Sequence, residues 1–264
     1  MKLKDKVAFV TGASSGIGEE VAVAFAREGA DVILTEYSTS AEEAAQKIED
    51  MGRKALVTKV NVAKTEDVDR AVEKGIEVFG KIDILFSNAA ITGVNPKLCF
   101  EMSDEEFEKI INVNLKGCFR CCRAVLPSML KQRYGRIILV GSVVGIRQGW
   151  PTRVHYAASK GGIEGMTRSL AIEVAAYGVT VNCLAPGLVR TPQTLDPQSI
   201  TEEGLQKAKE EYVPVKFIAN PEDIAPFAVL LASKESRYLT GTSILVDGGM
   251  MPRSVNPEPP EIPY

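Results

Sequence analysis

Short runs of apolar, often β-branched residues alternate along the chain with longer stretches of helical hydrophobic periodicity. The short runs are nearly continuous in Val, Ile and Leu, which is typical of strands buried on both faces of a parallel sheet. Seven strands are predicted, at Val7–Thr11, Asp31–Thr35, Ala55–Val60, Ile82–Ser87, Arg136–Gly141, Thr180–Leu184 and Ser243–Val246. Helices are predicted between them, at Gly16–Glu28, Ala41–Met51, Glu66–Phe79, Asp104–Leu130, His155–Tyr177 and Pro221–Ser233.

Strict alternation of strands and helices predicts an α/β fold, a single-domain Rossmann-like doubly wound parallel sheet of about seven strands flanked by helices. Seven strands in 264 residues leave no room for a second core, so we expect one domain over residues 1–251. The long segment Gly187–Pro214 contains Pro192 and Pro197 and is predicted to be a partly helical lid or substrate loop. Residues 252–264 carry five prolines and are predicted to form an extended tail.

Composition and charge narrow the choice of partners. The net charge of -3 and the pI near 5.5 argue against nucleic-acid or membrane-surface partners that bind through bulk charge. The N-terminus lacks the apolar segment of a signal peptide, and apolar runs such as Phe227–Ala232 are too short to span a bilayer. We therefore expect a soluble, cytoplasmic protein.

Three of the five cysteines are predicted to be small apolar fillers on a core-facing helix. Cys118, Cys121 and Cys122 share one predicted helix, and a zinc site would need further ligands at suitable spacing. The chain has one histidine, His155, which we expect to serve the start of a helix or a subunit contact. No metal site is therefore predicted.

A glycine-rich segment, Thr11-Gly-Ala-Ser-Ser-Gly-Ile-Gly18, follows the first predicted strand and precedes a helix. Glycines in this place permit a tight turn, let backbone amides approach a pyrophosphate, and allow a helix to pack closely on a strand. The N-terminus of the helix then offers free N–H groups and a positive dipole end to phosphates. The pattern indicates a dinucleotide site; an ordinary glycine-rich loop is the alternative.

The end of the second predicted strand carries Glu36, which lies 36 − 18 = 18 residues beyond the last of these glycines. A carboxylate at this spacing accepts hydrogen bonds from a ribose 2′-OH and repels a 2′-phosphate. No Arg or Lys follows at Tyr37 or Ser38. The sequence therefore favours NAD, with NADP less expected; a solvated glutamate at a loop end remains the alternative.

Tyr156 and Lys160 stand four positions apart in a predicted helix and so lie on one face. An ammonium beside a phenol favours the phenolate, which lets a tyrosine act as a base nearer neutral pH. Exposed Tyr–Lys pairs at this spacing are common, so the pair indicates a catalytic role only in combination with the other motifs of the chain.

The glycine segment together with Tyr156-x-x-x-Lys160 resembles the short-chain dehydrogenase/reductase family, and the resemblance runs from Lys6 to about Met250. Other matching pieces are Asn88-Ala-Ala90, Asn112-Val-Asn114, Gly141-Ser142, Pro186-Gly187 with Thr191, and Asp247-Gly-Gly249. The resemblance implies hydride transfer between NAD and a CH–OH group of a small alcohol, sugar or ketone. It also implies a homotetramer, with the helices at Asp104–Leu130 and His155–Tyr177 at its interfaces.

The resemblance implies a role for each matching position. Tyr156 would be the general acid and base, and Ser142 would stabilise charge on the substrate oxygen. Lys160 would hold the nicotinamide ribose, and Asn114 would bind a water that links Lys160 to solvent. The implied cofactor-binding residues are Gly12, Ser14, Ser15, Gly16, Ile17, Gly18, Glu36, Asn61, Val62, Asn88, Tyr156, Lys160, Pro186, Gly187, Val189 and Thr191.

The stretch Trp150–Gly162 is similar to that of bacterial glucose 1-dehydrogenases, members of the same family. Hydrogen-bond donors beside an aromatic ring suit a polyhydroxylated ligand. The predicted substrate residues are Ser142, Gln148, Trp150, Arg153 and Tyr156. The alternatives for this loop are plain surface or a subunit contact. The alternatives for the function are a carbonyl or 3-ketoacyl reductase and a non-catalytic dinucleotide-binding regulator.

Overall fold

The computed structural model describes residues 1–93, 96–196 and 200–251. Its strands are β1 Val7–Val10, β2 Asp31–Glu36, β3 Ala55–Lys59, β4 Ile84–Ser87, β5 Gly135–Val140, β6 Val179–Pro186 and β7 Ser243–Val246. They form one sheet in the order β3-β2-β1-β4-β5-β6-β7, and each neighbouring pair is parallel. The order turns back at β1, which is the doubly wound arrangement predicted from the sequence.

Helices connect the strands. They are α1 Gly16–Arg27, α2 Glu42–Asp50, α3 Thr65–Phe79, α4 Asp104–Ile110, α5 Lys116–Gln132, α6 Val143–Ile146, α7 Val154–Val174, α8 Glu202–Tyr212 and α9 Pro221–Ala232. Short 3₁₀ turns lie at Cys99–Glu101 and Ala175–Tyr177. None of the helices in the described part of the chain is long and apolar enough to cross a membrane.

The sheet is buried on both faces, which explains why its strands are almost wholly apolar. In β1 the side chains alternate, so Ala8 and Val10 pack with α1, α2 and α9, while Val7 and Phe9 pack on the other side with α3, α5 and α7. Such alternation follows from the two-residue period of a strand. Removal of these side chains from water is the main force that holds the helices on the sheet.

The predicted fold is confirmed, but one helix differs from its prediction. The helix expected at Asp104–Leu130 is interrupted by a π-helical turn, Ile111–Leu115, in which the N–H of Lys116 bonds to the carbonyl of Ile111. Such single turns absorb one extra residue and are common at functional sites. Periodicity alone does not reveal them, because apolar residues recur at helical spacing on both sides of the turn.

Two further predictions concern the C-terminal third of the chain. The segment Gly187–Pro214 contains α8, so it is partly helical as expected. The proline-rich tail at 252–264 lies outside the described residues, and the domain division at 251 stays a prediction.

The link between β5 and α7 is held by backbone packed directly on backbone. Gly145 has a φ of 86°, and a Cβ on it would overlap the carbonyl oxygen of Ala157 and lie 2.8 Å from the nitrogen of Gly161. A Cβ on Gly161 would lie 2.9 Å from the carbonyl oxygen of Gly145. The turn that follows Ser142 is therefore seated on the first turns of α7, where Tyr156 lies.

We predict that Gly161→Ala destabilises the protein while Gly165→Ala in the same helix does not. The new methyl group of Gly161→Ala must displace a backbone oxygen, for which we expect a loss of about 1–3 kcal/mol in the free energy of unfolding. Gly165 faces open space, so alanine there should gain about 0.5–1 kcal/mol from helix propensity. Urea unfolding of both variants measures the difference, and equal stability would refute the close approach.

Candidate active site

A cleft of about 1390 Å³ lies along the carboxyl edge of the sheet. Its walls are the segments that follow β1, β2, β4, β5 and β6, which contribute Gly12, Glu36, Asn88, Ser142 and Gly187. The carboxyl edge of an open parallel sheet, at the point where strand order reverses, is where such folds bind ligands.

The glycine segment forms a cradle at one end of the cleft. A Cβ on Gly18 would overlap the carbonyl oxygen of Gly12, so only glycine fits where α1 passes β1. Ser15 precedes α1 in extended conformation and makes no side-chain cap, and Ser14, Ser15, Gly16 and Ile17 line the cleft. The uncapped N–H groups of the first helical turn therefore face a space that suits a pyrophosphate.

A hydrogen-bond network ties this cradle to the segment after β4. The Asn88 amide nitrogen donates to the carbonyl oxygens of Thr11 and Gly12, both at 3.2 Å. The Thr11 hydroxyl accepts from the backbone N–H groups of Asn88 at 2.9 Å and Ala89 at 3.0 Å. The sequence analysis missed Thr11, whose position directly before Gly12 was the available signal.

Glu36 lies at the end of β2, half-buried in the wall of the cleft. Its Oε2 accepts a 2.9 Å hydrogen bond from the backbone N–H of Ala41 at the start of α2, which fixes the carboxylate. Asn61 and Val62 line the cleft beyond β3, and Asn61 Oδ1 accepts from the N–H of Ala63 at 3.0 Å. The three residues together form an edge of the cleft with both polar and apolar groups.

Ser142 caps the turn that follows β5. Its Oγ accepts a 3.1 Å hydrogen bond from the backbone N–H of Val144. The side chain is 9% exposed and lines the cleft. In this bond the hydroxyl oxygen is the acceptor, so the hydroxyl proton remains available to donate into the cleft.

Lys160 and Tyr156 meet in the cleft as the helical spacing predicts. The Lys160 Nζ donates a 2.7 Å hydrogen bond to the carbonyl oxygen of Val140, and the side chain is only 3% exposed. The same Nζ lies 5.7 Å from the centroid of the Tyr156 ring. An ammonium has three protons, so two remain for other acceptors in the cleft.

Asn114 lies in the π-helical turn and is buried away from the cleft lining. Its Oδ1 accepts from the N–H of Ile91, and its amide nitrogen donates to the Ile91 carbonyl at 2.9 Å and to the Ser159 hydroxyl at 3.1 Å. Both amide protons are therefore occupied by a clamp between the segment after β4 and α7.

The segment after β6 closes the opposite wall with Pro186, Gly187, Val189 and Thr191, which all line the cleft. A Cβ on Gly16 would lie 3.2 Å from the side chain of Thr191, so this segment reaches the glycine cradle. Farther along, the Gln193 side-chain amide donates to the carbonyl of Ala90 at 3.3 Å. This link across the cleft had no signal in the sequence.

The predicted substrate residues separate into two groups. Gln148 and Trp150 line the cleft together with Ser142 and Tyr156. Arg153 does not: its side chain is 2% exposed and lies outside the cleft lining, and its contact with a substrate stays a prediction. The turn before α7 carries the guanidinium behind the Trp150 ring, at 5.6 Å from the ring centroid.

Four of the five cysteines lie in the core, and Cys99 is exposed. Cys118, Cys121 and Cys122 are buried on the face of α5 that packs on the sheet. Burial raises the pKa of the Cys183 thiol on β6 to about 11, which keeps it protonated. Within residues 1–93, 96–196 and 200–251, no three potential metal ligands cluster.

His155 serves the start of α7. Its Nδ1 accepts a 2.8 Å hydrogen bond from the backbone N–H of Tyr156, one of the donors that the first helical turn leaves unpaired. The side chain is 3% exposed, and burial is the main cause that lowers the pKa of His155 below 6.5. The neutral ring is therefore the form that fits.

Comparisons with known proteins agree with this geometry. A short-chain dehydrogenase/reductase family model, described as enoyl-(acyl carrier protein) reductase, matches residues 12–251. The chain belongs to this family, whose members are oxidoreductases that use a nicotinamide dinucleotide.

Individual relatives match over nearly their whole length. Oxidoreductase UcpA of Salmonella typhimurium is 40% identical and covers 97% of this chain and 98% of its own. The 3-oxoacyl-[acyl-carrier-protein] reductase FabG of Thermotoga maritima is also 40% identical, over 95% of this chain and all of its own. The crystal structure of carveol dehydrogenase from Mycobacterium avium in complex with NAD is 30% identical with a TM-score of 0.90, and covers 96% and 99% of the two chains.

We predict that His155→Gln makes stability less sensitive to mild acid. A histidine whose folded-state pKa is lowered binds fewer protons than the unfolded chain, so stability is complete above a pH of about 6.5 and is lost as the pH falls below it. Glutamine can accept the same hydrogen bond without titrating. Thermal unfolding at about pH 7.5 and 5.5 should show a larger loss for the wild type than for the variant, with kcat unchanged at the higher pH. Equal losses would contradict this role of His155.

Proposed function

We propose that the protein is an NAD-dependent oxidoreductase that transfers a hydride between a secondary alcohol and the nicotinamide, with Tyr156 as general acid and base. The supporting observation is the placement of the buried Lys160 ammonium beside the Tyr156 ring, in the cleft that Ser142 also lines. The glycine cradle, in which only glycine fits at position 18, supports a dinucleotide at the other end of the same cleft.

The chemistry divides among three side chains. In oxidation Tyr156 takes the proton of the substrate hydroxyl, and in reduction it returns that proton. The Ser142 hydroxyl donates to the substrate oxygen as negative charge develops on it. Lys160 stabilises the phenolate of Tyr156 by electrostatic attraction, and its remaining protons hold ribose hydroxyls. When bound, the nicotinamide supplies the hydride acceptor or donor.

Other residues position these groups. We propose that Asn88 holds the cradle beside the cofactor and that Pro186, Gly187, Val189 and Thr191 hold the carboxamide end. Asn114 has both amide protons in bonds to Ile91 and Ser159, so its contribution includes the clamping of α7 in register. The water that would link it to Lys160 stays a prediction.

We propose NAD as the preferred cofactor, on the basis of Glu36. Its carboxylate is held at the cleft by the N–H of Ala41, beside Tyr37, Ser38 and Thr39, which also line the wall. Lys59 pairs with Glu36 across β2 and β3 but is not among the lining residues. The Glu36 carboxylate thus has no neighbouring cation in the cleft lining. Such a carboxylate accepts a hydrogen bond from a ribose 2′-OH and repels a 2′-phosphate.

Two alternatives to a simple secondary alcohol remain from the sequence, a sugar or polyol and a ketone such as a 3-ketoacyl thioester. The similarity to FabG supports the ketone alternative, in the direction of reduction, and the similarity to carveol dehydrogenase supports an NAD-dependent dehydrogenase. The similarity to glucose 1-dehydrogenases stays a prediction. Ser142, Tyr156 and Lys160 are all present in the cleft, which argues against a non-catalytic regulator, since binding alone does not need them.

We propose a cytoplasmic homotetramer, in keeping with the family resemblance. Large apolar side chains that are exposed on the helices predicted at the interfaces support it. Phe119 on α5 is 50% exposed, and Ile172 on α7 is 84% exposed. Cover by another chain would remove these apolar groups from water, which is favourable.

Tyr156→Phe tests the proposed chemistry. Loss of the proton donor and acceptor should lower kcat/KM by about 10²–10⁴-fold, while calorimetric titration should still detect NAD binding. The matched control is Tyr177→Phe, because Tyr177 is 46% exposed beyond the end of α7 and lies outside the cleft lining. Undiminished activity of the Tyr156 variant would refute the proposed role.

Glu36→Gln tests the cofactor preference. Charge-assisted hydrogen bonds contribute about 1.5–3 kcal/mol, so the ratio of kcat/KM for NAD to that for NADP should fall by about tenfold or more. Glu42→Gln, an exposed acid on the first turn of α2 outside the cleft lining, should leave the ratio unchanged. A wild-type enzyme that prefers NADP would overturn the proposal.

A further inference from the structure

We infer that the site takes an apolar secondary alcohol or ketone whose carbon skeleton packs on Trp150, and that Arg153 is the residue that positions Trp150. This inference rests on the proposed function and deepens it by naming the substrate class. It also gives a role to Arg153, which the sequence analysis had placed in contact with the substrate.

The charges in the cleft argue against an anionic substrate. Among the described residues that line it, only Glu36, Lys109, Lys160 and Asp196 are charged. Glu36 and Lys160 face the two ribose ends in the proposed cofactor site, and Lys109 is exposed on α4. A carboxylate or phosphate buried near Tyr156 would therefore lack a dedicated cation, which is costly.

The polar groups in the cleft argue against a sugar. A sugar brings several hydroxyl groups, each of which needs a hydrogen-bond partner once it leaves water. Of the donors predicted in the loop before Tyr156, only Gln148 and the Trp150 indole line the cleft, since Arg147 and Arg153 do not. Val143, Val144 and Leu188, together with Met250 after β7, line it with apolar groups. Of the polar side chains that line it after Gly187, Gln193 donates to the carbonyl of Ala90, and Thr194 is hydrogen-bonded to Thr191.

Trp150 is the largest of these apolar groups and the one in contact with the general base. Its ring meets the Tyr156 ring edge to face, with centroids 5.7 Å apart and planes at 88°. The side chain is 37% exposed, so part of the ring remains open to the cleft. A substrate whose hydroxyl reaches Tyr156 must therefore place its neighbouring carbons near this ring.

Arg153 supports the other side of Trp150. Its guanidinium lies 5.6 Å from the Trp150 ring centroid, and the side chain is 2% exposed. The Nη1 is buried without a hydrogen-bond partner, so the indole ring is a principal partner of this cation. Cation–π contacts strengthen when water is excluded. Arg153 thus contacts Trp150, and Trp150 contacts Tyr156 edge to face, so Arg153 acts on the site through Trp150.

The first experiment compares substrates by NADH formation. One panel contains cyclohexanol and other apolar secondary alcohols, and the other contains glucose and polyols such as sorbitol. We expect kcat/KM for the best apolar alcohol to exceed that for the best sugar by about a hundredfold. Preferential turnover of sugars would overturn the inference and leave the proposed function intact. Absence of turnover in both panels would instead count against the proposed function.

Binding can be measured separately by tryptophan fluorescence. The signal reports on Trp150, because it is the only tryptophan of the chain. Titration of the NAD-loaded protein with cyclohexanol should give a saturable change in tryptophan fluorescence, and glucose at the same concentrations should not. A saturable change with glucose alone would overturn the inference even if no alcohol is turned over.

The second experiment tests the positioning role with Arg153→Met. Acrylamide quenching of the Trp150 fluorescence should increase, and KM for the apolar alcohol should rise about tenfold with a smaller change in kcat. Arg147→Met is the matched control, since Arg147 is exposed in the same loop and does not line the cleft. Arg153→Lys keeps a cation and should rescue part of the KM.

Trp150→Ala and Trp150→Phe keep the inference testable if Arg153→Met does not fold. The alanine variant should show the same rise in KM, and the phenylalanine variant should retain most of the affinity because it keeps an aromatic wall. Wild-type KM values in Trp150→Ala, or wild-type quenching and KM in a folded Arg153→Met, would overturn the inference.

Discussion

The close contact between the Gly145 turn and α7 decides where the reacting groups lie. Ser142 directly precedes the turn that contains Gly145, and Tyr156 lies in the first turn of α7. No side chains separate the two backbone segments. The distance between the Ser142 and Tyr156 hydroxyl groups is therefore fixed more closely than if a layer of side chains lay between them. The hydrogen bond from Lys160 to the Val140 carbonyl adds a second tie between α7 and β5. The site is thus held by the fold rather than by a mobile loop.

The sheet supplies the rest of the alignment. Parallel strands end at one edge, so the segments after β1, β4 and β6 meet there although they are distant in sequence. The Thr11 hydroxyl and the Asn88 amide join the first two of these segments, and the contact of Gly16 with Thr191 joins the third. A dinucleotide bound at the cradle would therefore reach the Ser142 and Tyr156 end of a single rigid groove, which favours orientation of the reactants.

The sequence predicted those features that depend on local order along the chain. Apolar runs marked the strands, and a strand followed by clustered glycines and a helix placed the cradle. The four-residue spacing placed Tyr156 and Lys160 on one helix face. Features that depend on tertiary packing, such as the direction of a side chain, were not predicted. The sequence shows that Arg153 stands before α7, but only the packing shows that its side chain turns inward behind Trp150. The π-helical turn at Asn114 likewise preserves the apolar pattern while it changes the hydrogen bonds.

The burial of Arg153 also bears on how the site selects its substrate. In the proposed mechanism Ser142, Tyr156 and Lys160 would act on any CH–OH group, because their roles concern the substrate oxygen and the cofactor rather than the substrate carbons. Selection must then come from the groups that surround the substrate carbons. In the described part of the cleft those groups are mainly aliphatic and aromatic, and the one guanidinium nearby is used against an indole ring. The Arg153 guanidinium is buried behind the Trp150 ring and outside the cleft lining, so its N–H groups are not offered to a substrate hydroxyl in the cleft. The burial of Arg153 therefore shifts the balance of the site toward apolar ligands.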